Sequence, residues 1–163
     1  MSLWLLIPLL TFAAIIHSTL LSTISIAGYK LDFTLMLVVA RGLTARRGDA
    51  FLWGLILGIV LDLLSGFPFG TFTFALTLIG ALTALDEMDA LRDNLIFIPV
   101  VMILATLLEH VLTLTILTLT NSQVTWSDNL LAVTLPSAIL NTLAFPLIYF
   151  PVQWLAARTE NRA

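Results

Sequence analysis

Cysteine is missing from all 163 residues, so neither a disulfide framework nor a thiolate metal site is open to this chain. Charge is scarce too. Asp, Glu, Lys and Arg make up 10% of the residues, against about a quarter in soluble domains. That is too little polar surface to cover a water-soluble globule of this size. No basic tract occurs, which excludes a nucleic-acid interface. His17 and His110 are the only histidines, and without cysteine they leave zinc short of ligands. The patterns H-E-x-x-H and G-x-S-x-G and a glycine-rich phosphate loop are all absent. Glu109 and His110 are neighbours in sequence and so point from different helical faces, the wrong spacing for a shared metal. No catalytic, cofactor or metal site is expected.

What fills the chain instead is apolar: 60% of residues are hydrophobic and the mean hydropathy is +1.06. The composition predicts an all-α integral membrane protein, a single transmembrane domain over 1–163. Hydropathy and turn residues mark six spans, at about 3–26, 31–43, 50–64, 69–85, 95–119 and 130–157. The first has no basic stretch ahead of it and no small-residue cleavage site, so a retained helix is expected rather than a signal peptide. A full crossing needs ~20 residues, and the second to fourth spans sit at or below that. Were the second and third a re-entrant hairpin, Arg41, Arg46 and Arg47 would enter hydrocarbon at ~2.5–3.5 kcal/mol each. Full crossing is cheaper, so six spans are expected. One side then receives Arg41, Arg46, Arg47, Arg92, Arg158 and Arg162, the other only Lys30. Positive charge marks the cytoplasmic side, which places both termini there.

Three groups of residues stand out. Gly54, Gly58 and Asp62 fall four apart, so on a helix they share one face. They run into the turn Ser65-Gly66-Phe67-Pro68-Phe69-Gly70. Small residues let helices approach closely in lipid, so Gly54, Gly58, Asp62, Gly66, Pro68 and Gly70 form a candidate packing or partner face. Counting at 1.5 Å per residue puts Asp62 ~3–6 Å below the outer boundary, level with Lys30 and Asp32. An outer-rim pairing of Asp62 with Lys30 is one expectation, and an aspartate capping the turn or solvated at the interface is the other. The same count puts His17, Glu109 and Asn141 at ~13–17 Å, near the bilayer centre. They form a candidate polar layer joining the first, fifth and sixth spans. Its alternatives are structural glue, a partner-facing site or proton and ion transport. Asp62 and Glu109 differ in depth by roughly 10 Å, too far for a hydrolytic carboxylate pair. Pro136, Pro146 and Pro151 predict a kinked last helix with Asn141 between two of the kinks.

Several of these stretches together resemble one family. They are Asp32-Phe-Thr-Leu-Met-Leu-Val-Val-Ala40, Arg46-Arg47-Gly48, Gly54-x-x-x-Gly58-x-x-x-Asp62-Leu-Leu-Ser65-Gly66-x-Pro68-x-Gly70 and Pro136-x-x-x-x-Asn141-x-x-x-x-Pro146-Leu-x-Tyr149. In order and spacing they are similar to MreD, the rod shape-determining membrane protein of bacteria. One departure is Leu31, where the family usually has proline. The resemblance implies a six-helix protein of the bacterial inner membrane with a fold like the substrate-binding S-components of ECF vitamin transporters. It implies a non-catalytic scaffold in the elongation machinery, supporting rod shape and peptidoglycan synthesis. The partner it implies first is the transmembrane helix of MreC, and through MreC come RodA, a class B penicillin-binding protein and the MreB filament. The competing expectation is an S-component-like membrane protein that binds a small molecule or lipid through the polar layer.

Overall fold

The computed structural model describes residues 3–16, 25–26, 29–44, 49–85, 96–120 and 124–160. Among them run six helices: α1 (Leu3–Ile16), α2 (Phe33–Thr44), α3 (Asp49–Leu64), α4 (Thr71–Thr83), α5 (Phe97–Leu119) and α6. The last opens with one turn at Trp126–Asn129, widens into a π-helical stretch at Leu130–Thr134 and continues as Leu135–Glu160. The widening sits just ahead of Pro136, which has no N–H and whose ring would collide with the carbonyl four residues back. Pro146 and Pro151 lie within the helix that follows.

The helices match the expected spans closely, except at the end of the first. Ser25–Ile26 are extended and pair antiparallel with Tyr29–Lys30, Ser25 opposite Lys30 and Ile26 opposite Tyr29. Ser25 and the β-branched Ile26 suit a strand better than a helix. Counting hydropathy alone missed that.

The shortest long-range packer is the most central. α2 has only 12 residues, of which eight are buried, and it touches α3, α4, α5 and α6. Leu35, Val38, Val39 and Ala40 are completely enclosed. A helix apolar on every side belongs in the middle of a bundle. The longer helices present apolar side chains outward: Ile139, Leu143, Leu147 and Phe150 make an exposed stripe along α6. By length and composition, two helical stretches are fit to cross a membrane, Phe97–Leu119 and Trp126–Ala157, whereas α2 and α4 are shorter apolar helices.

The most extensive contact is between α3 and α4. A Cβ on Gly54 would strike the Leu76 carbonyl oxygen, one on Gly58 the Thr73 backbone, and one on Gly80 the Ala50 carbonyl oxygen. These glycines are what let the two backbones touch. The face that the sequence offers to a packing helix or a partner is therefore taken up inside the molecule, by α4. At the far end of the pair, Arg41 of α2 reaches Asp49 at the start of α3 at 2.6 Å and lies over the Trp53 ring at 5.6 Å. Asp49 there also meets the positive end of the α3 dipole.

Replacing Gly54 or Gly58 by leucine forces the α3–α4 backbones apart, and is expected to cost about 1–3 kcal/mol or more. Thermal unfolding in detergent checks this, with Gly66→Leu as the control, because nothing lies within 4 Å of a Cβ built there.

Candidate functional site

Two carboxylates organise one end of the bundle, each at a helix start. Asp62, 5% exposed, lies in the last turn of α3 and closes the start of α4. Its Oδ1 accepts the Phe72 N–H at 2.9 Å. Its Oδ2 accepts the Gly70 N–H at 2.9 Å, the Thr73 N–H at 3.0 Å and the Thr73 hydroxyl at 2.6 Å. The first N–H groups of a helix have no partner within it, and here a side chain from the preceding helix supplies one. Gly70 makes this possible with a φ of 100°, a left-handed conformation that glycine adopts without cost. Pro68 contributes its carbonyl to the Thr71 hydroxyl at 2.7 Å, and Phe67 packs edge-on against Phe72.

Asp32 performs the same task for α2 in the usual local way. Its Oδ1 accepts the Leu35 N–H and the Thr34 hydroxyl, both at 2.8 Å. Its own N–H donates to Oδ1 of Asn141 at 2.9 Å. Asn141, fully buried on α6, passes the chain on through Nδ2 to the Thr106 hydroxyl of α5 at 3.4 Å. Thr106 in turn donates to the Met102 carbonyl. One line of hydrogen bonds thus ties α2, α6 and α5.

Beside that line opens a cavity of about 540 Å³, half enclosed. Its polar lining includes Asp32, Glu109, His110, Thr113, Ser137 and Asn141. Glu109 is 4% exposed, and its Oε2 is buried with no hydrogen-bond partner. The Thr113 hydroxyl shares that condition. His110 Nδ1 lies 3.0 Å from the Thr106 carbonyl oxygen and 3.7 Å from Glu109 Oε2. A carbonyl only accepts, so Nδ1 carries the proton of that bond. Among the described residues no group of His, Asp and Glu could hold a metal ion. A second, shallower groove of about 380 Å³ runs over α3 and α4, lined by Phe51, Leu55, Phe74, Thr77 and Leu78 among others. There the Thr77 hydroxyl is buried without a partner.

Of the residues singled out from sequence, Glu109, Asn141 and Asp32 line one cavity, and Asp62 caps α4 beside it. The Asp32 N–H reaches Asn141, which reaches Thr106 in the middle of α5, so α2 begins beside the middle of α5. His17 lies outside the described residues, as does the side chain of Lys30. His110 shares the cavity with Glu109 although a step of 100° separates adjacent residues, since both side chains are long enough to reach it. Ser137 and Asn129 were missed. The signal was present: Asn129, Val133, Ser137 and Asn141 recur every four residues, and all four line the cavity.

The family follows from a comparison along the chain. A family model described as rod shape-determining protein MreD matches residues 1–158. The chain belongs to the MreD family. Neither curated proteins nor solved structures give a match. Membership makes this a membrane protein with a role in rod shape determination. The Gly54–Gly70 block that resembles MreD most specifically is, in the fold, the α3–α4 hairpin with its Asp62 cap.

Asp62→Ala leaves the N–H groups of Gly70, Phe72 and Thr73 short of an acceptor, and is expected to cost about 2–3 kcal/mol. Hydrogen exchange should then quicken at those three amides before it does elsewhere in α4. Gly70→Ala is expected to cost about 1–2 kcal/mol through its left-handed backbone alone, read from the same unfolding midpoints.

Proposed function

We propose that this MreD-family chain is a non-catalytic inner-membrane scaffold of the bacterial elongation machinery, one that binds the transmembrane helix of MreC and so supports rod shape and peptidoglycan synthesis. The observation that carries this is the family match along 1–158. In the proposed arrangement 1–163 is a single transmembrane domain of six spans with an S-component-like fold and both termini in the cytoplasm. The Asp32 end of the bundle then faces outward, and Arg41 marks the cytoplasmic end, as the basic residues require. RodA, a class B penicillin-binding protein and MreB are further partners, reached through MreC.

Because Gly54 and Gly58 are covered by α4, the seat for the MreC helix is proposed in the groove over α3 and α4. Threonine in a membrane helix usually bonds back to its own helix, as Thr83, Thr106 and Thr142 do. Thr77 does not, and a helix laid in the groove supplies the missing partner. A second proposal, an S-component-like protein that holds a small molecule or lipid, is favoured by one observation, the half-enclosed cavity beside Asp32 and Glu109.

Purification from detergent is expected to recover an MreC-type one-span protein with the wild-type chain, and less of it with Phe74→Ala combined with Thr77→Val. Failure to recover MreC with the wild type rejects the partner. Undiminished recovery with the double variant rejects the groove as its seat.

A further inference from the structure

We infer that the cavity beside Asp32 and Glu109 binds a primary ammonium, or another N–H-bearing cation, carried on an apolar body. This rests on the proposal that the cavity holds a small molecule or lipid, and adds the chemistry of that ligand.

One acceptor beside the cavity is left without a donor. Glu109 has a side chain 5% exposed, and its Oε2 has no partner, a condition that costs free energy unless something donates to it. Most nearby protein donors are already committed. The Asp32 N–H goes to Asn141, the Asn141 amide to Thr106, the Asn129 amide to the Thr125 carbonyl and His110 Nδ1 to the Thr106 carbonyl. On α5, Thr106, Thr115 and Thr118 each donate to the carbonyl four residues earlier, whereas the Thr113 hydroxyl is left without a bond. Behind the lining thus lie a carboxyl oxygen and a hydroxyl, both without partners.

The sign of the charge points the same way. Asp32 and Glu109 bring two carboxyls to one cavity; no lysine or arginine lines it among the described residues, and His110, 3.7 Å from Glu109 Oε2, is the lining side chain able to carry a positive charge. Two like-charged groups drawn from water need a counter-charge or a proton. A metal cation does not suit, since no metal-holding group exists among the described residues. An ammonium does, because it donates up to three hydrogen bonds and needs no fixed coordination sphere. The walls set the rest of the ligand. Leu31, Phe67, Phe72, Leu114, Leu117 and Val133 are apolar, and about 540 Å³ falls within the range of small-molecule pockets. Both a free alkylamine and the amine head group of a phospholipid have this chemistry.

The test measures thermal unfolding of the full chain in detergent with hexylammonium, hexanol and hexanoate. Hexylammonium is expected to raise the midpoint with concentration, and the other two are not. Glu109→Gln, nearly isosteric, is expected to weaken that binding by about tenfold, with its own unliganded midpoint reporting that it folds. Native mass spectrometry from bilayers of phosphatidylethanolamine or phosphatidylcholine separates the sources. The second head group keeps the positive charge but has no N–H, so selective retention of the first assigns a lipid amine. Equal retention together with hexylammonium binding assigns a free amine. Equal stabilisation by hexylammonium and hexanol overturns the cation while leaving the small-molecule proposal standing. No stabilisation by any of the three, with no lipid retained, overturns both.

Discussion

A helix that begins in buried surroundings has no water for its first N–H groups, and this structure depends on how that is solved. Each unsatisfied group in such surroundings costs several kcal/mol. Asp62 answers for α4 with both carboxylate oxygens and four donors. Asp32 answers for α2. In both cases the first turn is tied to a neighbouring carboxylate rather than left open.

The same constraint explains how glycine and aspartate cooperate in the hairpin. Gly54, Gly58 and Gly80 bring α3 and α4 into backbone contact, which places the end of α3 beside the start of α4. Only at that separation does a side chain of residue 62 reach amides ten and eleven positions later. The close crossing positions the cap, and the cap ends the crossing at a defined register. With the hairpin closed on itself, α2 is packed between it and α6. The Asp32–Asn141–Thr106 line then fastens the start of α2 to the long helices.

Against this economy the unsatisfied groups are conspicuous. Most buried polar side chains among the described residues have partners, and those without are the Arg41 Nε, the Thr77 and Thr113 hydroxyls and Glu109 Oε2. Three of these four line concavities, Thr77 in the groove over α3 and α4 and the other two in the cavity at the Asp32 end. The molecule thus has two unfinished surfaces of different chemistry. One is shallow and apolar with a single hydroxyl, suited to a helix. The other is deeper and rich in acceptors, suited to a donor.

Much was legible beforehand because it is local. Apolar runs and turn residues placed five of the six helices to within a few residues, and the glycine spacing marked a close-packed face. The tail of the first span was misread, since hydropathy does not distinguish a β-branched run from a helix. Glu109 and Asn141 were grouped from sequence and line one cavity, and Asp32 joins them there through α2's contact with α6. Sequence alone determined the class of protein, its helices and the residues able to cap or to pack, because composition and spacing act within a few turns of chain. Tertiary structure alone decided that Gly54 and Gly58 face α4 rather than a partner, and that Asp62 caps α4. It also decided that Asp32, Glu109 and Asn141 share a cavity. Those outcomes turn on the relative insertion of helices, which is set by contacts between residues far apart in the chain.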